Sequence, residues 1–316
     1  VGLVSGRTVL LTGASGFVGR TVHKALSQSG WSVRATGYRN ASEGLQRIAV
    51  SSDTDWSEAI EGCSAVVHLA GRAHVLRESS ANPISAFRQV NTEGTLTLAR
   101  AAANAGVRRL VFLSSVAVHQ QNGEVLREAA GLDPQTPYGV SKLEAELGLV
   151  HVAERTGLEV TILRAPLIYG PNVGARFLQL LQWCRAGFPM PFGAVRNARS
   201  FVGVHNLADA ILIGLEHPSA ANRAYLVADT ETISTPELVQ LLARLMDRPS
   251  HLVPVPIALL RTAAQMLGRR SEIERLIGSL VVDTQRIRHE LGWNAPLSLE
   301  RGLAETAAWY MAGAAS

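Results

Sequence analysis

RTVLLTGASGFVGRTVHKAL, residues 7 to 26, opens as an apolar, β-branched run, bends at Gly13, Gly16 and Gly19, and continues with the helical rhythm Val18, Val22, Ala25, Leu26. Strand, glycine turn and helix in that order make a phosphate cradle. Small residues let the backbone approach a pyrophosphate, and the helix N-terminus points unpaired N–H groups at its charge. The reading predicts dinucleotide binding, with Gly13, Ser15, Gly16, Phe17, Val18 and Gly19 in contact.

Working outward, Ser32 to Thr36 is the second strand, and cofactor choice is read just after it. Gly37 stands where an acid would hold the ribose hydroxyls of NAD. Arg39, with Arg34 as the alternative, is placed to meet a 2′-phosphate, which favours NADP over NAD. Asp53 and Asp55 decorate a turn before a short helix, Trp56 to Ile60. Ser64 to Ala70 is a continuous apolar run, as expected of a strand buried on both faces, and its His68 reads as a satisfied core histidine. Phe87 to Ala103 has helical periodicity with Asn91 inside it. Leu110 to Val118 and Leu158 to Leu163 supply further strands. Strands alternating with helices predict an α/β fold, a doubly wound parallel (Rossmann) sheet. Ligands of such sheets sit outside the carboxyl ends of the strands, where the glycine turn, Gly71 and Ser115 all fall.

TPYGVSKLEAE, residues 136 to 146, places a phenol and an ammonium on one helix face, because residues four apart are neighbours there. Thr136 is the candidate N-cap and Pro137 the first helical residue. An ordinary tyrosine titrates near about 10, and a cation close by favours its phenolate. The pair Tyr138 and Lys142 therefore suits proton transfer.

The 316 residues are 47% hydrophobic and 18% charged, which excludes a disordered chain. Residues 1–170 are expected to form the dinucleotide-binding domain with the catalytic residues. Residues 171–316 are expected to form mainly a smaller C-terminal substrate-binding lobe, with some segments returning to the first domain. Within that lobe 186–200, AGFPMPFGAVRNARS, reads as a loop folding over a ligand, 164–172, RAPLIYGPN, as another loop, and Phe177–Cys184, Thr235–Met246 and Ile257–Leu267 as helices. The net charge of +4 is scattered, which suits a phosphate-bearing small molecule and argues against nucleic acid. Cys63 and Cys184 form no metal-ligand spacing and read as structural thiols, and no metal is expected. With no signal-peptide pattern and no apolar run long enough to span a bilayer, the expectation is a cytoplasmic protein without membrane insertion.

TGASGFVG, LSSVAV and YGVSK in that order, together with HLA at 68–70, VNTEGT at 90–95, RAPLIYGPN at 164–172 and RSFVGVHNLADA at 199–210, resemble the extended short-chain dehydrogenase/reductase family, in its sugar-nucleotide epimerase, dehydratase and reductase branch. The resemblance implies that Tyr138 is the acid/base, that Lys142 binds the nicotinamide ribose and lowers the tyrosine pKa, and that Ser115 bonds the substrate oxygen. It adds Val50, Leu69, Ala70, Gly71 and Asn91 to the dinucleotide contacts, Ala49-Val50 standing where relatives carry an acidic-hydrophobic pair. It assigns Arg199 to the diphosphate of a UDP-sugar, with Asn172 nearby and His119 as a further substrate contact, and it implies a homodimer. Val116-Ala117 fills the place of a dehydratase's acidic dyad, which argues against elimination. Three functions follow: reduction of a UDP-4-keto-6-deoxy-N-acetylhexosamine in bacterial polysaccharide synthesis, 4-epimerisation of a UDP-hexose, or non-catalytic dinucleotide sensing. The missing acid at Gly37 tilts the choice to the reductase.

Overall fold

The structure, a computed structural model, describes residues 7–38, 45–73, 82–120 and 125–313. The first half alternates β1 (Thr8–Thr12), α1 (Phe17–Gln28), β2 (Ser32–Gly37), β3 (Gln46–Arg47), α2 (Ser57–Ile60) and β4 (Ala65–His68). A continuous helical stretch follows: α3 (Pro83–Phe87), a π-helical turn at Arg88–Glu93, and α4 (Gly94–Asn104). Then come β5 (Arg109–Ser115), a 3₁₀ turn at Val116–Val118, β6 (Val125–Leu126), α5 (Pro137–Thr156) and β7 (Glu159–Ala165). The second half contains β8 (Leu167–Tyr169), α6 (Ala175–Ala186), β9 (Arg199–Gly203), α7 (Val204–Glu216), β10 (Arg223–Leu226), β11 (Thr232–Ile233) and α8 (Thr235–Leu245). It closes with α9 (Ile257–Met266), α10 (Arg270–Ile277), β12 (Val281–Val282), α11 (Gln285–Leu291) and α12 (Leu299–Gly313).

The large sheet has the order β10-β7-β5-β4-β1-β2-β3, and every pairing in it is parallel. This is the doubly wound fold that the alternation of strands and helices predicts. Alternation along each strand divides its side chains between two covered faces. Val9, Leu11, Val67 and Val111 pack with Val22 and Leu26 of α1 and Leu207 and Ile211 of α7. Leu10, Val66, Leu110 and Phe112 pack with Leu98 and Ala102 of α4 and Ala145 and Leu149 of α5. Each fully buried leucine or valine contributes roughly 1.5–3 kcal/mol.

The chain runs outward from β1 to β3 and returns to β4 on the other side of β1. That reversal opens a crevice between the ends of β1 and β4. One edge is anchored by a fully buried guanidinium. Arg109 pairs with Glu159 at 2.6 Å and donates to the carbonyls of Gly214, Leu215 and His217, which end α7.

The second half does not stay apart from the sheet: α7 covers one face and β10 adds its outermost strand. The remainder surrounds a separate apolar core of Phe177, Leu181, Leu238, Val239, Leu242 and Leu303. Both segments read as loops contribute to it. Within 164–172, Leu167–Tyr169 is a strand paired with β9, and the fully buried Tyr169 hydroxyl donates to Asp229 at 2.7 Å. Within 186–200, Met190, Phe192 and Val195 are buried. The Gly and Pro residues there mark an irregular path that carries these three side chains into the core and leaves Phe188 58% exposed.

Candidate active site

The glycine turn closes tightly on the β4 end of the crevice. Gly13 has φ of 72°, and a Cβ on it would lie 2.8 Å from the Ala70 nitrogen. A Cβ on Gly19 would lie 2.1 Å from the Gly13 carbonyl oxygen. Only glycine fits either place. Helix α1 starts at Gly16 with no side-chain cap, so its first N–H groups are left for an anion. Ser15 lies beside Gly37, where a Cβ would meet its Oγ at 2.6 Å. Phe17 packs against the second-half core and Val18 against the sheet. Val50 faces the start of α4, against Gly94.

Arg34 is committed elsewhere. It donates to the carbonyls of Glu58, Ala59 and Glu61 and so caps α2, which removes it as a phosphate ligand. Arg39 lies outside the described residues. Asp55 accepts from Ser57 and Asp53 from Ser52, as turn residues do.

Helix α5 forms as its sequence dictates: the Thr136 hydroxyl accepts from the Gly139 nitrogen at 3.1 Å, Pro137 occupies the first turn, and Gly157 ends the helix at φ 76°. Gly139 lets the helix press on the turn after β5, since a Cβ there would lie 2.3 Å from the Ala117 carbonyl oxygen. That approach brings Tyr138 beside Ser115, whose hydroxyl accepts from the Ala117 nitrogen at 3.2 Å. Phe87 packs edge-on against the tyrosine ring at 6.1 Å. Burial pushes the phenol up to about 12, with the neighbouring Ser115 hydroxyl pulling it down. The direction is the reverse of the expected lowering. The Lys142 ammonium donates to the Leu113 carbonyl at 2.9 Å and lies 4.4 Å from the centre of the Phe112 ring, and desolvation there outweighs any help to the phenolate. Burial brings Lys142 itself down to about 8, opposed by Glu146. A Cβ on Gly71 would lie 3.5 Å from Lys142 Nζ and 3.1 Å from Asn91 Oδ1, which ties the crevice to the helix.

Two buried polar networks support this edge. In the first, Asn91, fully buried in the π-helical turn, accepts from the Arg72 nitrogen at 2.7 Å and donates to the Arg72 carbonyl and to Ser141 Oγ. Its own carbonyl accepts from Thr95 Oγ1. Thr95 then accepts from His68 Nε2 at 2.9 Å, which leaves His68 Nδ1 to accept from Thr12 Oγ1 at 2.6 Å, while Thr12 accepts from the Ala70 nitrogen. His68 is thus neutral, protonated on Nε2, and a satisfied core histidine. Burial, then the Lys142 charge, takes it down to about 3.

In the second, Glu146 receives Ser114 Oγ on one side and the Arg164 guanidinium on the other, at 2.6 Å. Arg164 also donates to His119 Nε2 at 3.0 Å, and His119 Nδ1 donates to the Ala130 carbonyl. His119 is 1% exposed with both ring nitrogens engaged, so it anchors the turn after β5 and is no substrate contact. Ser114, Glu146 and Arg164 escaped the sequence reading. Glu146, one turn beyond Lys142, had the spacing to be noticed; Arg164, inside an apolar strand, was visible only as a charge out of pattern.

Arg199 is held by the carbonyls of Arg275 and Gly278, beside the Arg275 guanidinium, and burial followed by that charge lowers its pKa. Arg176 in turn faces Arg275. Arg199, Arg275 and Arg176 thus form a row of guanidiniums, with Arg176 paired to Glu272 at 3.2 Å. Asn172 is exposed, at φ 70° in the turn after β8. Cys63 and Cys184 are buried free thiols, and no metal-ligating cluster occurs among the described residues.

A doubly wound sheet with a glycine cradle at its switch point, and Ser115, Tyr138 and Lys142 on the same edge, is the architecture of an enzyme of the extended short-chain dehydrogenase/reductase type. Residues 9–228 match the NAD dependent epimerase/dehydratase family, and the chain belongs to it. It is 36% identical over 310 residues to a UDP-glucose 4-epimerase of Vibrio cholerae, covering 95% of this chain and 94% of that one. It is 27% identical over 316 residues to the N-acetyl-α-D-glucosaminyl-diphospho-ditrans,octacis-undecaprenol 4-epimerase of Escherichia coli O157:H7, covering 94% and 93%. Among solved structures, a short-chain dehydrogenase/reductase superfamily protein from Agrobacterium tumefaciens with bound NAD superposes with a TM-score of 0.77 at 25% identity, covering 98% of each chain. No helix among the described residues is long and apolar enough to cross a membrane.

Proposed function

We propose that this enzyme works at C4 of a UDP-hexose as a 4-epimerase. The observation that carries the reading is the convergence of Ser115, Tyr138 and Lys142 at the mouth of the crevice lined by Gly13, Ala70 and Gly71. The 36% identity to a UDP-glucose 4-epimerase favours epimerisation over the reductase expected from Gly37. A dinucleotide held at the glycine cradle of Gly13, Gly16 and Gly19 would supply the hydride acceptor and donor. Tyr138 takes the proton of the C4 hydroxyl and returns it, Ser115 holds the sugar oxygen, and Lys142 binds the nicotinamide ribose. Asn91 keeps the segment after β4 and α5 in register. Arg199, with Arg275 and Arg176, meets the diphosphate, and Asn172 is the remaining candidate beside the sugar. Val116 to Val118 fill the turn after Ser115, which supports hydride return rather than elimination. Residues 171–316, apart from α7 and β10, serve as the substrate lobe. Exposed Leu147 and Val150 on α5 support a homodimer through that helix.

One observation favours a second reading. Gly37, pressed on Ser15, leaves no carboxylate at the adenosine ribose, which supports exchangeable NADP(H) and reduction of a UDP-4-keto-6-deoxy-N-acetylhexosamine. The test is incubation of purified protein with UDP-glucose or UDP-N-acetylglucosamine and no added dinucleotide, which yields the C4 epimer. If no epimer forms, and a UDP-4-keto sugar instead consumes NADPH stoichiometrically, the epimerase reading falls and the reductase stands.

A further inference from the structure

We propose that the α9–α10 hairpin is a docking surface for an anionic lipid membrane. Met266, Leu267 and Leu259 are the three most exposed large apolar side chains among the described residues, at 84%, 74% and 60%. Leu259 and Met266 share one side of α9, and Leu267 ends it. Positions 259, 262, 263 and 266 recur at helical spacing and all are exposed, whereas Leu260 and Ala264 are buried on an adjacent face. A helix apolar on both faces is normally buried on both. Here the inner face meets the second-half core, and the outer face is exposed among the described residues.

Charge identifies the occupant. The hairpin, residues 257 to 277, carries four arginines and two glutamates, without lysine or aspartate. Both glutamates are engaged: Glu274 pairs with Arg261 at 2.9 Å and Glu272 with Arg176 at 3.2 Å. Arg269 and Arg270 are exposed at the tip, beside Met266 and Leu267 and across the turn made by Gly268 at φ 65°. Two apolar side chains flanked by two arginines match the boundary of a bilayer whose headgroups are negative, with the leucine and methionine entering the acyl region. A protein partner or a second copy would have to bring acidic groups to the same place.

The hairpin also supports Arg199, because the Arg275 carbonyl and the Gly278 carbonyl just beyond α10 hold its guanidinium. The inference does not rest on the C4 reading, and its test uses no sugar substrate.

The experiment is co-sedimentation of the full chain with vesicles of phosphatidylcholine alone or mixed with phosphatidylglycerol. The protein sediments with the mixed vesicles and stays in solution with phosphatidylcholine alone. Replacing both arginines (Arg269→Gln with Arg270→Gln) lowers the partition coefficient about thirtyfold at low salt, and Met266→Gln with Leu267→Gln lowers it tenfold or more. Unchanged thermal melting of both variants shows that the fold is intact. Failure of the wild type to sediment, or variants that sediment like it, overturns the proposal. So does light scattering in which the Met266→Gln, Leu267→Gln variant turns a dimer into a monomer, since the face then belongs to a second copy.

Discussion

His68 should make the stability of this protein fall in mild acid by a calculable amount. Its side chain is fully buried, both ring nitrogens are engaged, and burial with the Lys142 charge brings its pKa down to about 3. The unfolded chain has an ordinary histidine near about 6.5. Between those two values the unfolded state binds a proton that the folded state refuses, so stability declines as pH falls below about 6.5 and the whole contribution is lost near about 3. From about pH 7 to about pH 5 the loss from this one residue is about 2 kcal/mol, at about 1.4 kcal/mol per pH unit. His68→Gln keeps an acceptor for Thr12 and a donor for Thr95 but cannot titrate. The assay is urea unfolding of both proteins at the two pH values. His119, also lowered by burial, and the carboxylates are common to both and cancel in the difference. The variant should retain about 2 kcal/mol more of its neutral-pH stability than the wild type does. Equal losses in the two proteins would refute the argument.

Other perturbations test the remaining parts. Tyr138→Phe should abolish turnover while dinucleotide binding, followed by fluorescence quenching, persists; residual turnover near the wild-type level would remove Tyr138 from its role. Arg164→Met leaves Glu146 buried without its cation and should cost about 3–5 kcal/mol in denaturant unfolding, most of it recovered when Glu146→Met is added. Gly19→Ala drives a Cβ into the Gly13 carbonyl, and isothermal titration should show dinucleotide affinity lost.

Much of the fold was legible because its signals are local. The glycine turn, the apolar strands and the Thr136–Pro137 helix start each announce themselves within a dozen residues or so, and alternation of strands with helices then restricts the topology to few choices. What stayed hidden depends on partners far apart in sequence. Glu146 finds Ser114 and Arg164, and Arg164 finds His119, through pairings that no periodicity encodes. His119 was assigned to substrate from its place after a serine strand, yet its imidazole turns inward because Arg164 and the Ala130 carbonyl satisfy it there. The segment 186–200 misled for a related reason: glycine and proline marked it as irregular, which it is, but irregular backbone here carries Met190, Phe192 and Val195 into a core.

The π-helical turn at Arg88–Glu93 has a consequence for how the helix containing it satisfies two neighbours at once. Each residue of a regular helix advances the side chains by about 100°, so one additional residue in a turn shifts the phase of everything before it relative to everything after. On the near side Phe87 is phased to meet the Tyr138 ring; on the far side Leu98, Ala99 and Ala102 are phased to the sheet. A uniform α-helix would serve one set and rotate the other away. Deleting a single residue such as Val90 would therefore leave the helix its backbone hydrogen bonding while turning Phe87, on the near side, off the tyrosine, a lesion of timing along the helix that no substitution reproduces.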